Sequence, residues 1–485
     1  MELTRLRELS GAAAPALTIG GTTHDYGELA GMCGALAARL DGLERIAFWA
    51  EPRLEACVAV LAAIECGVQA VPLNPKLGFA ELAHIVTDSA PQALLAAPDD
   101  GGAGPLSGIP RIDVEPGGRG VLPDAPADPE SVALVIYSSG TTGPPKGVLV
   151  PRRAIATNLD ALADAWAWTE SDRLVHALPI FHVHGLVLGL VGPLRRGGHV
   201  RHLGRFTPEA VVAAFADGDT TLFGVPTMYH RLAELAERDR AAARALAGAR
   251  LLVSGSAGLP AATFERIERA TGQRVVERYG LTETIMNTAV RADGERRPGE
   301  VGRPLPGVDV AVRADAGLGG APAAGDAVPA DGETIGEVHV RGPNLFLGYL
   351  NRPDATAEVM RDGWFATGDL ATVAPDGYLR IVGRRSTDLI KTGGYKVGAG
   401  EVESALLEHP AVSEAAVTAA PDEDLGERIV AWVVPAPGAA RPTARELADH
   451  VAARLAPHKR PREVRFLEEL PRNAMGKVVK RRLGD

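Results

Sequence analysis

Two hydrophobic periods alternate along the first half of the chain. "YGELAGMCGALAARL" (Tyr26–Leu40) repeats its apolar residues at helical spacing, and the following "RIAFWA" is a short strand. "LEACVAVLAAIECG" (Leu54–Gly67) reads as a mostly apolar helix, and "VQAVPLNP" as a strand that ends at prolines. Strand alternating with helix predicts a mostly parallel sheet with helices on its faces. "VALVIY" (Val132–Tyr137) is an apolar, β-branched strand. "ARLLVSGSAGLP" (Ala249–Pro260) predicts strand, small-residue turn and helix start. "QRVVERYGLTET" (Gln273–Thr284) predicts a strand with polar residues at its end. In open α/β sheets ligands bind beyond the carboxyl ends of strands, so these three turns point to one crevice. Residues 97–131 and 313–333, rich in glycine, proline and aspartate, read as irregular connections.

Beyond residue 333 the pattern changes. "IGEVHVRG", "GWFATGDLATV" and "GYLRIVGRR" are short strands separated by turn signals, which predicts a small β-rich unit. A helix, two strands and the helix "ARELADHVAARL" (Ala444–Leu455) follow, a small α+β pattern. The polar stretch "GRRSTD" (Gly383–Asp388) is the best boundary. The expected division is residues 1–384, a hinge at 385–388, and 389–485. A chain of 485 residues exceeds what one hydrophobic core usually supports, which agrees with such a division.

Charge narrows the partners. A net charge of −10 argues against general binding to nucleic acid or anionic membrane, which needs basic patches. Residues 454–485 are the exception, with ten Lys/Arg against four Asp/Glu: either a solvated basic face or a site for an anionic substrate. No apolar run reaches the roughly 18 residues of a membrane span, and no signal peptide is evident. Cys33, Cys57 and Cys66 fit neither a zinc site nor a redox pair and read as reduced thiols of a cytosolic protein.

Four stretches carry candidate chemistry. "SSGTTGPPKG" (Ser138–Gly147) follows a buried strand. Its glycines allow the backbone to turn successive N–H groups inward, and its hydroxyls add donors for phosphate oxygens. It lacks the G-K-[ST] ending of the commonest phosphate loop. "RYGLTET" (Arg278–Thr284) sets an aromatic, a hydroxyl and a carboxylate within five positions, suited to base stacking, a phosphate contact and Mg²⁺ ligation. Asp369 in "ATGDL" is an acceptor suited to ribose hydroxyls. Lys477 follows a glycine near the C-terminus. Two hydrolase-like readings fail. "SGSAG" (Ser254–Gly258) lacks the first glycine of a nucleophile elbow, and His182 and His184 have no carboxylate or cysteine cluster nearby to complete a metal site.

In combination and order, these motifs resemble the adenylate-forming superfamily of acyl-CoA synthetases, luciferases and peptide-synthetase adenylation domains. "ALPIFHVHGL", "GYLRIVGRR", "IKTGGYKV" and "PRNAMGK" add to the match, which runs from the "YGELA" helix to the terminal "GK". The resemblance implies an α/β fold: a large N-terminal domain of stacked α/β sheets plus a β-rich subdomain, and a small mobile α+β C-terminal domain. It implies an enzyme that first joins a carboxylate to the α-phosphate of ATP and then transfers the acyl group to coenzyme A. It assigns the ATP site to Ser138, Ser139, Gly140, Thr141, Thr142, Gly143, Lys146, Ser256, Ala257, Glu277, Arg278, Tyr279, Gly280, Thr282, Asp369 and Arg384. Glu283, with Thr141, is implied as the Mg²⁺ site. Lys477, Thr282 and Glu283 are the implied catalytic residues. Gly393, Gly394, Tyr395 and Lys396 are implied to line the pantetheine tunnel. The hinge register is shifted by an extra residue, leaving Ser386, Thr387 and Asp388 as candidates.

The acyl site is read from local strings. "PIFHVHGL", "ERYGLTETIMNT" and "GERRPGEVGRPLPGV" resemble malonyl-CoA synthetases more than fatty-acid or coumarate ligases. A dicarboxylate needs a cation for its distal carboxylate, because a buried unpaired charge is costly. Arg231 and Arg296 are the candidates, with His182, Ser256 and Met286 around the pocket and His184 as a packing residue. Malonate and methylmalonate differ by one methyl, which a pocket discriminates by only about 1–3 kcal/mol. The resemblance therefore implies small-molecule partners (ATP, CoA and a small acid), and a monomer is compatible with it.

Overall fold

The computed structural model describes the whole chain except residues 101–103, 139–143, 315–324, 386–387, 394, 473–477 and 484–485, and the side chain of Lys396. Among the described residues four sheets form. A seven-stranded sheet runs in the order 348–349, 146–151, 132–138, 69–73, 45–49, 93–96, 111–113. A nine-stranded sheet runs 303–304, 288–289, 276–279, 251–254, 221–224, 173–176, 199–202, 15–19, 22–25. Their central pairs are parallel, and antiparallel strands close both edges of the nine-stranded sheet and one edge of the seven-stranded sheet. This is the mixed α/β architecture expected from the alternating pattern.

Local sequence explains the elements. The helix Tyr26–Ala37 starts on Asp25, whose carboxylate accepts from Glu28 N while Glu28 reaches back to Asp25 N. The helix Leu54–Cys66 stops at Gly67, where φ is 88°, a left-handed value that glycine adopts without penalty. Almost every side chain of this helix is buried, so it is apolar all round rather than amphipathic. One core spans both large sheets and the β-rich unit, holding Phe48, Val200, Val276 and Val338, and separate clusters form around Leu222 and Leu252 and around Val71 and Leu94.

The stretch 97–131 departs from the expected irregular connection. It includes the strand Arg111–Asp113, which adds in parallel to Ala93–Ala96 at the sheet edge. Three residues at an edge are too few to show a hydrophobic alternation. A second departure is His184–Val191, eight buried residues in a π-helix. Gly185 and Gly189 permit it: a Cβ at Gly185 would lie 2.2 Å from Pro179 O, and one at Gly189 2.7 Å from His176 Cε1.

The β-rich unit is a five-stranded sheet of 309–313, 336–341, 364–373, 360–361 and 379–384. The C-terminal sheet pairs 395–398, 389–392, 426–435, 412–422 and 463–466, and it encloses its own core around Ile390, Val402, Val417, Val433 and Leu447.

Candidate active site

The strands Thr221–Gly224, Leu251–Ser254 and Val276–Tyr279 lie side by side and parallel, so the turns that follow them open at the same end. Gly255 N donates to Gly224 O, tying two of these turns together. Ser256 has φ 70° and Ile285 φ 56°, two non-glycine residues held in the left-handed region. Each costs on the order of 1–3 kcal/mol, and such strain collects at functional sites. Gly280 lets the second turn fold tightly, since a Cβ there would lie 2.0 Å from Ile285 O. Ser256 and Ala257 are exposed on this surface; Thr282 is partly exposed.

Alternation along Val276–Tyr279 sends consecutive side chains to opposite faces. Tyr279 Oη donates to Asp369 Oδ2 at 2.7 Å. Asp369 Oδ1 also receives Arg384 Nε at 2.9 Å, and the two residues are register partners in the β-rich sheet. Tyr279, Asp369 and Arg384 therefore form one polar chain between two sheets. Arg278 faces the other way. It is 5% exposed, and its Nε and Nη2 have no hydrogen-bond partner among the described residues. Gly255 makes room for the guanidinium: a Cβ there would lie 2.2 Å from Arg278 Cζ. Burial pushes the Arg278 pKa down to about 9, so the group is charged at neutral pH and uncompensated.

Histidines approach the same side. His184 Nδ1 lies 3.2 Å from Ser256 Oγ, and burial, with the nearby Arg278 cation, holds its imidazole well below the usual range. His182 is pushed down to about 4 by burial. Both rings are neutral at pH 7, and the Nε2 atoms of both lack partners among the described residues.

Glu283 belongs to the second turn. Tyr349 Oη donates to its Oε1 at 3.0 Å, and its backbone carbonyl accepts from Phe346 N at 2.9 Å. Burial raises the Glu283 carboxyl, and the Tyr349 bond acts against that rise. Lys146, the register partner of Ser138, holds its Nζ 4.9 Å from the centre of the Tyr349 ring. Met286 is 2% exposed, and its carbonyl accepts from Asn158 Nδ2 and Asn344 Nδ2.

Several sequence expectations need correction. Arg296 is not at the crevice. Its Nη1 donates to Arg274 O and its Nη2 to Ala292 O, and it lies beside Arg274 and Arg250, which precede the strands at their amino ends. That is the end of the sheet opposite Ser256 and Tyr279. Arg231 is exposed and stacks its guanidinium 5.5 Å over Phe206, a surface role. The Glu277 side chain is taken up by the fold: Oε1 accepts from Gly299 N at 2.8 Å and Oε2 from Leu259 N at 3.2 Å. Arg278, expected among the nucleotide residues, faces away from Tyr279 on the opposite side of the strand. His184, read as packing, meets Ser256 at the crevice.

Other expected residues lie on the C-terminal sheet. Gly393 takes φ 57°, and Tyr395 is 55% exposed and stacks on His458 at 4.1 Å. Asp388 accepts from Arg384 N at 2.8 Å and pairs with Lys480 Nζ at 2.5 Å. Ser139, Gly140, Thr141, Thr142, Gly143, Ser386, Thr387, Gly394 and Lys477 lie outside the described residues, as does the side chain of Lys396.

The chain matches the description "AMP-binding enzyme" over residues 10–350 and "AMP-binding enzyme C-terminal domain" over 401–477. It belongs to the AMP-binding enzyme family. This membership agrees with the resemblance drawn from the motifs. Among curated members, a mitochondrial malonate–CoA ligase of Homo sapiens is 37% identical, covering 94% of this chain and 85% of its own length. A feruloyl-CoA synthase of Amycolatopsis is 36% identical over 96% of this chain and 94% of its own. Among solved structures, a malonyl-CoA ligase in ternary product complex with methylmalonyl-CoA and AMP is 61% identical, with TM-score 0.74 over 95% of this chain and 97% of that one. The ATP-bound MatB of Rhodopseudomonas palustris is 36% identical, with TM-score 0.87 over 99% and 98%. Like its relatives, this AMP-binding enzyme has a large α/β portion and a small C-terminal one. No helix among its described residues is long and apolar enough to cross a membrane.

Proposed function

We propose that this protein is an ATP-dependent malonyl-CoA synthetase that also accepts methylmalonate. The observation that carries the substrate is Arg278, a buried guanidinium with two unpartnered nitrogens. An uncompensated buried cation is expensive unless a ligand supplies the anion. A dicarboxylate does so with the carboxylate that does not react. An aryl or fatty acid leaves the cation unpaired. Two of the relatives named above, a malonate–CoA ligase and a malonyl-CoA ligase bound to methylmalonyl-CoA, support the same reading.

The residues divide the work as follows. Arg278 and the neutral imidazoles of His182 and His184 bind the distal carboxylate, with Ser256 at the mouth and Met286 closing a small pocket. Tyr279, Asp369 and Arg384 hold adenine and ribose, beside Gly280 and Ala257. Ser138–Gly143 and Lys146 steady the β- and γ-phosphates. Thr282 and Lys477 meet the α-phosphate, where one substrate oxygen forms a bond to phosphorus as pyrophosphate leaves. The CoA thiolate then attacks the acyl carbon along the segment 393–396, and AMP departs. Glu283 suits Mg²⁺: it is a hard oxygen donor whose Oε1 is already oriented by a hydroxyl. Bound there, Mg²⁺ would offset charge on the phosphates.

Two arrangements of residues 389–485 about a hinge at 385–388 complete the proposal. The 61% identical product complex superposes less well than the 36% identical ATP-bound enzyme. Sequence divergence does not account for that order; a different placement of the small domain would produce it, and the order supports this reading. A cytosolic location fits the three free cysteines.

The test is ATP–pyrophosphate exchange with a panel of acids, followed by thioester formation with CoA. Exchange with malonate and methylmalonate, and little with octanoate or coumarate, is expected. Exchange with the monoacids but not malonate would overturn the substrate assignment.

A further inference from the structure

One buried aromatic residue joins two parts of the site that no motif connects. The segment Phe346–Leu350 is stitched to the strand Lys146–Pro151. Leu347 N donates to Leu149 O, Leu350 N to Gly147 O, and Gly348 and Tyr349 pair with Leu149 and Val148. The same segment reaches the second turn through Phe346 N and Glu283 O. Tyr349 is pinned further by its own N–H, which donates to Thr356 Oγ1 at 2.9 Å, and by the Phe346 ring, 5.0 Å away in a T-shaped contact. Its ring and hydroxyl are thus fixed in place. The hydroxyl is 3.0 Å from Glu283 Oε1, and the ring lies beneath the ammonium group of Lys146.

We infer that Tyr349 is a positioning residue for the adenylation half-reaction, orienting the Glu283 carboxylate toward Mg²⁺ with its hydroxyl and the Lys146 ammonium toward phosphate with its ring. A ligating carboxylate is commonly aimed by a hydrogen bond to its other oxygen, and loss of such a partner costs about 10–100-fold in metal affinity. A lysine over an aromatic face is attracted by the ring quadrupole, which limits the directions its flexible stem can take. One side chain therefore sets two charges of opposite sign at a distance from each other fixed by the ring.

The inference rests on Glu283 as the Mg²⁺ residue. Tyr349→Phe removes only the hydroxyl, and Tyr349→Leu removes the ring as well. ATP binding is measured by calorimetry across a series of free Mg²⁺ concentrations, with Glu283→Gln alongside, and exchange is measured over the same series. In Tyr349→Phe the Mg²⁺ concentration at half-maximal effect should rise about tenfold, with ATP binding in EDTA and KM for malonate unchanged. Tyr349→Leu should in addition weaken ATP binding in EDTA. Wild-type Mg²⁺ dependence in Tyr349→Phe overturns the inference. Absence of malonate exchange in the wild type would instead overturn the substrate assignment, and the calorimetric comparison would still stand.

Discussion

Arg278 and Tyr279 leave one strand in opposite directions, the first toward His184 and Gly255, the second onto Asp369. A single peptide unit thus separates the residue proposed to read the acid from the residue proposed to read the nucleoside. On this proposal the α-phosphate lies at the end of that strand. The turn Gly280–Ile285, with Thr282 in its middle, is placed there.

Truncating Arg278 tests the acyl side. Arg278→Met should raise KM for malonate by about 10²-fold, since removal of one partner of a buried charge pair costs about 2–5 kcal/mol. KM for ATP should stay within about twofold. Steady-state kinetics with malonate and propionate would show the selectivity between them collapsing. Preserved selectivity would remove Arg278 from the pocket.

Arg296 and Arg231 serve as contrasts. Arg296→Ala should leave malonate selectivity unchanged yet lower stability by about 1–2 kcal/mol, because two partly buried carbonyl contacts are lost. Arg231→Ala should cost no more than about 0.5–1 kcal/mol, the range of an exposed cation–π contact. Urea unfolding and KM measured on the same preparations separate the two effects.

Glu277 makes stability depend on pH. Burial pushes its carboxyl up to about 7, against two backbone N–H bonds that act to lower it. Between its ordinary value of 4.5 and about 7 the folded chain holds a proton that the unfolded chain has released. Its contribution is therefore complete below pH 4.5, falls as pH rises to about 7, and is flat above. Glu277→Gln stays neutral throughout. The difference in Tm between Glu277→Gln and wild type should move in favour of the variant as pH rises from 5 to 8. The slope is the readout, because glutamine loses one amide contact at every pH. A difference that stays constant would show that Glu277 is ionised across the range.

Lys477→Ala separates the half-reactions. Adenylation should fall by about 10²–10³, the usual cost of one contact to a developing charge. Thioester formation from supplied malonyl-adenylate should be largely retained. Equal loss in both would contradict the proposed alternation of the small domain.

The sequence revealed the strand-and-helix plan and the turns proposed to form the nucleotide face, because glycine turns and β-branched runs are local signals. Tyr279, Asp369 and Glu283 were found through their motifs. The acyl side was harder. "ERYG" reads as a unit, yet pleating splits it between two faces. "GERRPGE" suggested an arginine near the pocket, but Ala292 N is bonded to Ala165 O, which holds that segment at the far end of the sheet. Tyr349 had no local signal, since its two partners lie 66 and 203 positions away. The π-helix at His184 hides in a run that is apolar in every direction.

Gly255 has a consequence for how enzymes of this kind diverge. Its missing methyl is the volume that the Arg278 guanidinium fills. Gly255→Ala would expel the cation without altering a single charge in the sequence. On the present proposal, a change of one codon then converts preference for a diacid into tolerance of a neutral one, and the ratio of propionate to malonate turnover in that variant reports it. Substrate class in this pocket would be inherited as a vacancy as much as a charge.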